Sequence, residues 1–251
     1  MSVLQKRLYS EPMASRNPYA APTLTAEATL KQLLSESGRA TLGEKQADML
    51  RAPGTSGGKD DVRVFYTGDT GLLKRKCVSV VGTREVSEAG WARASRLARQ
   101  LADYGVVVVS GLAKGVDTAA LTSAIEARGS TIAVIGTPLN KAYPAENKAL
   151  QEQIWREHLL MTPFAEGEAV FKSNFPKRNR VMAAISDATV IVEASDSSGT
   201  LHQAAECQRL GRWLFIMKSV AEDPRLKWPA SFLAGPKTLV LEQTAEIMQV
   251  I

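Results

Sequence analysis

From residue 78 onward, short apolar, β-branched runs alternate with segments of helical period, and small residues punctuate each change. Val78–Val81 and Val106–Val109 lack the polar alternation of a half-exposed strand, so both faces of each need cover, as in a parallel sheet flanked by helices. Further strands are predicted at Thr131–Ile135, Leu159–Phe164, Thr189–Glu193, Trp213–Met217 and Thr238–Leu241. Helices are predicted over Glu88–Tyr104, Val116–Arg128, Lys148–Glu157 and Val181–Ser186, from the Ser195–Gly199 turn to Leu210, and over Ala245–Val250. Gly105, Gly129 and Gly211 fall where helices hand back to strands. The pattern implies an α/β domain with a doubly wound, mostly parallel sheet and ligands at the carboxyl edge of its strands.

The first quarter of the chain reads differently. Residues 1–22 are rich in Pro, Ser and Ala with little periodicity, the composition of a poorly ordered segment. A helical pattern over Thr25–Arg51, interrupted by Gly38 and Gly43, carries Leu30, Leu33 and Leu34 on one small apolar face. Ala52–Asp61 then has a linker's composition. Residues 1–61 are therefore expected to form a small helical or partly disordered extension, and residues 62–251 the α/β domain.

With 251 residues, 45% of them hydrophobic, one sizeable α/β core fits the chain. No apolar stretch is long enough to span a membrane, and Met1–Tyr19 lacks the apolar core of a signal peptide, which points to the cytoplasm. Cys77 and Cys207 suit reduced packing thiols, and with only His158 and His202 besides, no metal-ligating cluster or cofactor is expected. A formal charge of +5 favours an acidic partner. Arg93, Arg96 and Arg99 fall on the polar side of an amphipathic helix and read as its solvated face.

Candidate chemistry gathers at the strand ends. Gly82-Thr83-Arg84 and Ser110-Gly111-Leu112-Ala113-Lys114-Gly115 lack bulk where the backbone turns, so N–H groups at a helix start are expected to approach an anion. Neither turn has the G-x-G-x-x-G spacing of a dinucleotide site, and no G-x-x-x-x-G-K-[ST] loop occurs. Asn174-Phe175-Pro176-Lys177-Arg178-Asn179-Arg180 reads as a basic loop before a helix, with cations for phosphates and an aromatic ring for an unpaired base. Ser198-Gly199-Thr200 adds hydroxyls and N–H groups at another helix start.

Taken in order, Val80-Val81-Gly82-Thr83-Arg84, Ser110–Asp117, Ile135-Gly136-Thr137, Tyr143-Pro144-x-x-Asn147, Phe175-Pro176-x-Arg178-Asn179-Arg180 and Ser198-Gly199-Thr200 resemble the motifs of the DprA/Smf family. Phe65-Tyr66-Thr67-Gly68-Asp69 resembles the lead-in to that family's Rossmann-like domain, so the likeness covers about residues 62–218. It implies a cytoplasmic, non-catalytic protein that binds single-stranded DNA, protects it, loads a RecA-type recombinase in recombination or natural transformation, and forms a homodimer. The DNA-contacting roles fall on Arg84, on Ser110, Gly111, Leu112, Ala113, Lys114 and Gly115, and on Lys177, Arg178, Asn179 and Arg180, with Ser198, Gly199 and Thr200 completing a phosphate cradle. Leu121 stands where the family commonly carries a histidine. The competing reading is a nucleotide sensor or phosphoribohydrolase of the LOG-related superfamily, for which Glu193 and Glu206 are the available acids.

Overall fold

A computed structural model describes residues 19–38, 62–171 and 173–251. The poorly ordered segment read at residues 1–22 falls outside that range up to residue 18, and the Ala52–Asp61 linker falls outside it entirely. In chain order the elements are β1 (Ala26–Thr29), α1 (Leu30–Glu36), β2 (Arg63–Gly68), β3 (Cys77–Gly82), α2 (Glu88–Asp103), β4 (Val107–Ser110), α3 (Val116–Glu126), β5 (Thr131–Val134), α4 (Lys148–Glu157) and β6 (Leu159–Thr162). There follow α5 (Asn174–Ile185), β7 (Ala188–Glu193), α6 (Thr200–Arg209), β8 (Trp213–Met217), α7 (Lys218–Ala221), α8 (Trp228–Leu233), β9 (Thr238–Leu241) and α9 (Ala245–Met248).

The nine strands found among the described residues lie in one sheet of order β1-β2-β6-β5-β4-β3-β7-β8-β9. From β6 to β9 every pairing is parallel, and β1–β2 and β2–β6 are antiparallel. The order reverses between β3 and β7, where the chain winds first one way and then the other, so the crevice beyond these strands is the natural ligand position.

Alternation along β3 divides the core. Val78 and Val80 face α2 and α3, among Ala94, Leu97, Leu101, Ala119 and Ala120. Cys77 and Val81 face the other way, toward Val181, Met182 and Ile185 of α5. Ser79 shares that second face, and its hydroxyl meets the Ser186 hydroxyl at 2.7 Å, which satisfies both buried groups. A third cluster around Leu112, Leu121, Ile135, Ile154 and Leu160 seats α4. Both cysteines are buried and neither is in a disulfide, and among the described residues no helix is long and apolar enough to cross a membrane.

Two sequence expectations change. The helical pattern read over Thr25–Arg51 lies outside the described residues from residue 39 on, and it is broken at its start, because Ala26–Thr29 is a strand paired antiparallel with β2. Thr29 then caps α1, accepting from Gln32 N at 3.1 Å while the Gln32 side chain accepts from Thr29 N at 2.9 Å. Leu30, Leu33 and Leu34 form no separate face; they are buried in the main core beside Val64 and Ile132. The second change concerns Asn174–Arg180, which forms the first two turns of α5. Pro176 is compatible with this because the first turn of a helix does not need its N–H.

Candidate nucleic-acid interface

The turn after β4 is organised by a buried carboxylate. Asp117, in the first turn of α3 and 5% exposed, accepts from Gly111 N at 3.1 Å and Ala113 N at 3.2 Å through one oxygen. The Ser110 hydroxyl is buried and donates to Val80 O at 2.7 Å, tying β4 to β3. The sequence pointed to N–H groups open to an anion; those of Gly111 and Ala113 instead face Asp117. Burial raises the Asp117 pKa, and the charge of Arg178 is the chief opposing influence. Gly115 takes φ +77°, and a Cβ there would run into the carbonyls of Thr83 and Arg84, so this glycine lets the β3 and β4 turns touch.

Asn147 braces the same turn from the other side. Buried at the head of α4, it donates through Nδ2 to Leu112 O at 2.9 Å, Ala113 O at 3.2 Å and the Thr118 hydroxyl at 2.9 Å. These contacts give a physical reason for the Tyr143-Pro144-x-x-Asn147 spacing: the Asn fixes the turn while Tyr143 and Pro144 line the cleft above it.

The cations of α5 divide by helical direction. Lys177 is exposed and Arg180 is half-buried, paired with Glu206 at 3.2 Å. Arg178 and Asn179 point inward, 6% and 7% exposed. Arg178 Nη1 donates to Gly111 O at 2.6 Å and Val134 O at 2.7 Å, and its Nε donates to Asn179 Oδ1 at 2.9 Å. This guanidinium therefore closes the ends of β4 and β5 against α5. Burial lowers the Arg178 pKa, with Asp117 opposing the shift.

What faces solvent is a narrow cleft. The Arg84 guanidinium lies 5.2 Å from the centre of the Phe175 ring. Phe175 rests on Gly136, where a Cβ would strike the ring, and its centroid is 6.0 Å from that of Tyr143, itself 49% exposed. Lys114 also lines the cleft, its ammonium 2.5 Å from Glu146 on the surface. Arg84 has no carboxylate partner among the described residues. Cation, half-exposed ring and second aromatic thus share one opening at the carboxyl edge of β3, β4 and β5.

Ser198-Gly199-Thr200 makes local bonds: Ser198 donates to the Thr200 hydroxyl at 2.9 Å and accepts from Thr200 N at 3.2 Å. No hydrogen bond among the described residues joins this turn to the cleft. Both candidate acids are committed. Glu193 accepts from Ser87 N at 2.9 Å and Ser87 Oγ at 2.6 Å at the start of α2, and pairs with Arg93 at 3.3 Å. Glu206 is held between Arg180 and Arg209. No cluster of three or more potential metal ligands occurs among the described residues. The two residues sequence reasoning left without a role are Asp117 and Asn147. The signal for Asp117 was present, since it is the one charged residue in the otherwise uncharged helix start Val116 to Ala120.

The family model described as DNA recombination-mediator protein A matches residues 59–250. This chain belongs to that family. It is 41% identical over 156 residues to the DNA processing protein DprA of Streptococcus pneumoniae, covering 62% of this chain and 55% of that one. The solved structure of DprA from S. pneumoniae superposes with a TM-score of 0.68 at 35% identity, over 74% of this chain and 65% of the other. A Helicobacter pylori DNA processing protein A, solved to examine its single-stranded DNA binding mode, gives 0.67 at 27% identity, over 76% and 88%. The chain thus spans little more than half the length of the S. pneumoniae protein. The DprA/Smf resemblance and the Rossmann-like fold expected from it are both borne out.

Proposed function

We propose that this protein binds single-stranded DNA across the Arg84–Phe175–Tyr143 cleft. Phosphates lie on Arg84, Lys177 and Lys114, and an unstacked base lies on the Phe175 and Tyr143 rings. The observation that carries the reading is Arg84 held over Phe175 with no carboxylate among the described residues to neutralise it. A cation over one ring with a second, exposed ring beside it suits a strand whose bases are free to stack; a duplex offers its bases only edge-on in the grooves. The H. pylori relative's single-stranded DNA binding supports the same choice.

In this reading Ser110, Gly111, Arg178 and Asn179 shape the site from beneath, while Arg84, Lys114 and Lys177 meet the strand. The function is binding without covalent chemistry: Glu193 and Glu206, the acids a nucleotide hydrolase would require, are engaged by Ser87 and by arginines. Family membership supports a cytoplasmic role as a homodimer that delivers DNA to a RecA-type recombinase. Binding of oligo-dT, duplex DNA and free nucleotides, measured side by side, tests the reading. Preference for oligo-dT is expected; equal binding of the duplex, or tighter binding of a nucleotide, would overturn it. Light scattering and RecA pull-down test the assembly separately.

A further inference from the structure

Residues 19 and 20 lie far from the cleft in sequence but are tied to the segment that builds its wall. The Tyr19 hydroxyl donates to Leu139 O at 3.0 Å and accepts from Gln151 Nε2 at 2.8 Å. Gln151 is fully buried, and the same Nε2 donates to Lys141 O at 3.2 Å, which also accepts from the Thr137 hydroxyl at 3.1 Å. Two more bonds hold the strap to α4: Ala20 N to Glu152 Oε1 at 2.9 Å, and Trp155 Nε1 to Ala20 O at 3.1 Å. Between Thr137 and α4 the chain runs through Tyr143, Pro144 and Asn147, so the strap fastens one side of the segment that forms the cleft's aromatic wall.

We infer that Tyr19 is a positioning residue for DNA binding: its hydroxyl, shared between Leu139 and Gln151, fixes the 137–147 wall and so sets the gap between Tyr143 and Phe175. The inference rests on the binding reading above. Alternatives for the strap are weaker physically. The hydroxyl's one proton is committed to Leu139 and it accepts from Gln151, so it has no donor left for a ligand. Its pKa, pushed up to about 12 chiefly by burial, keeps it a donor at neutral pH. The ring itself touches no cleft residue through these bonds, so any effect on DNA must travel through the wall.

The consequence is specific. Replacing Tyr19 by Phe keeps the ring and deletes two hydrogen bonds, leaving the Leu139 carbonyl and the Gln151 amide short of a partner. The wall then samples positions in which Tyr143 no longer completes the stacking site. Loss of affinity should follow the stacked base and leave the phosphate contacts intact.

The test uses the full chain and three variants, Tyr19→Phe, Tyr143→Ala and the double. Hydrogen exchange without DNA comes first: Tyr19→Phe should accelerate exchange of the Leu139–Asn147 amides about tenfold while α2 and α3 keep their protection. Unchanged exchange in the wall overturns the inference whether or not the protein binds DNA. Oligo-dT binding comes second. Tyr19→Phe should weaken it about fivefold, should leave binding of an abasic oligonucleotide as in the parent, and should add nothing in the Tyr143→Ala background. Equal loss in both backgrounds, or equal loss for the abasic strand, contradicts positioning of the wall. If Tyr19→Phe proves too unstable, Trp155→Phe removes the Ala20 anchor instead and is read by the same two measurements. A parent that fails to bind oligo-dT would sink the proposed function and this inference's consequence for DNA, while the exchange result would still decide whether the strap holds the wall.

Discussion

The guanidinium of Arg178 lies so close over Gly111 that a Cβ at residue 111 would overlap it, and it donates to the Gly111 carbonyl at 2.6 Å. An arginine that a sequence offers as a DNA contact is here a buried brace, satisfied by Gly111, Val134 and Asn179. Removing it takes a donor from two buried carbonyls, those of Gly111 and Val134.

Arg178→Ala is therefore expected to destabilise the fold by about 3 kcal/mol, since buried acceptors left unpaired cost about 1–3 kcal/mol each. Urea unfolding should report this directly, and any lost DNA affinity should track the unfolded fraction. Gly111→Ala should destabilise comparably, because the clash is with a guanidinium hydrogen-bonded on two sides. Wild-type stability in either variant would contradict the brace.

Asn147 offers a sharper chemical contrast. Its amide nitrogen shares two protons among three oxygen acceptors. Asn147→Asp puts a carboxylate against two carbonyls and should cost more than Asn147→Ala, by about 1–2 kcal/mol. Thermal unfolding of the two variants at pH 7 would show the order, and the reverse order would mean that the side chain does not act as a donor.

The buried thiols predict an alkaline limit. Burial pushes Cys207 from 9.0 up to about 12. The unfolded chain releases this proton first, so the stabilisation is complete below about pH 9 and is lost as pH rises from 9 toward 12. The loss approaches about 1.4 kcal/mol per pH unit. Cys207→Ser, whose hydroxyl does not titrate there, should flatten that part of a stability–pH curve. In the native state a thiol reagent at pH 8 should label neither Cys77 nor Cys207, and both on unfolding.

Much of this was legible in the chain, and the rest fails for identifiable reasons. The parallel strands announce themselves because Val78–Val81, Val106–Val109 and Trp213–Met217 must be covered on both faces, leaving runs that are apolar throughout but for Ser79. Ala26–Thr29 gives no such signal; four small or polar residues become a strand only because β2 offers an edge. The site motifs were legible as a set, whereas their division of labour was not. Arg178 and Lys177 are neighbours in sequence, but helical direction sends one toward carbonyls 67 and 44 residues earlier and the other to solvent. Asp117 was visible as an acid in an otherwise uncharged helix start, but that it would claim the N–H groups of Gly111 and Ala113 depends on a turn conformation in which Leu112 takes φ +58°.

Stacking is tested at Phe175. Phe175→Leu keeps an apolar side chain on Gly136 but removes the flat face beneath Arg84. Oligo-dT affinity should fall about tenfold, in line with the roughly 1–3 kcal/mol that a stacked base contributes. An abasic strand should lose much less, and equal losses for the two would place the base elsewhere.

The central claim is that exposed Arg84 and Lys177, with Lys114, carry the DNA phosphates. Its most direct test is the salt dependence of oligo-dT binding for the parent and for the Arg84→Ala, Lys177→Ala double variant. Three neutralised phosphates at about 0.7 each predict a slope of log affinity against log salt near −2 for the parent, falling to about −0.7 in the variant at unchanged melting temperature. A folded double variant that keeps the parent's affinity and slope would contradict the account, because the strand would then bind somewhere other than this cleft.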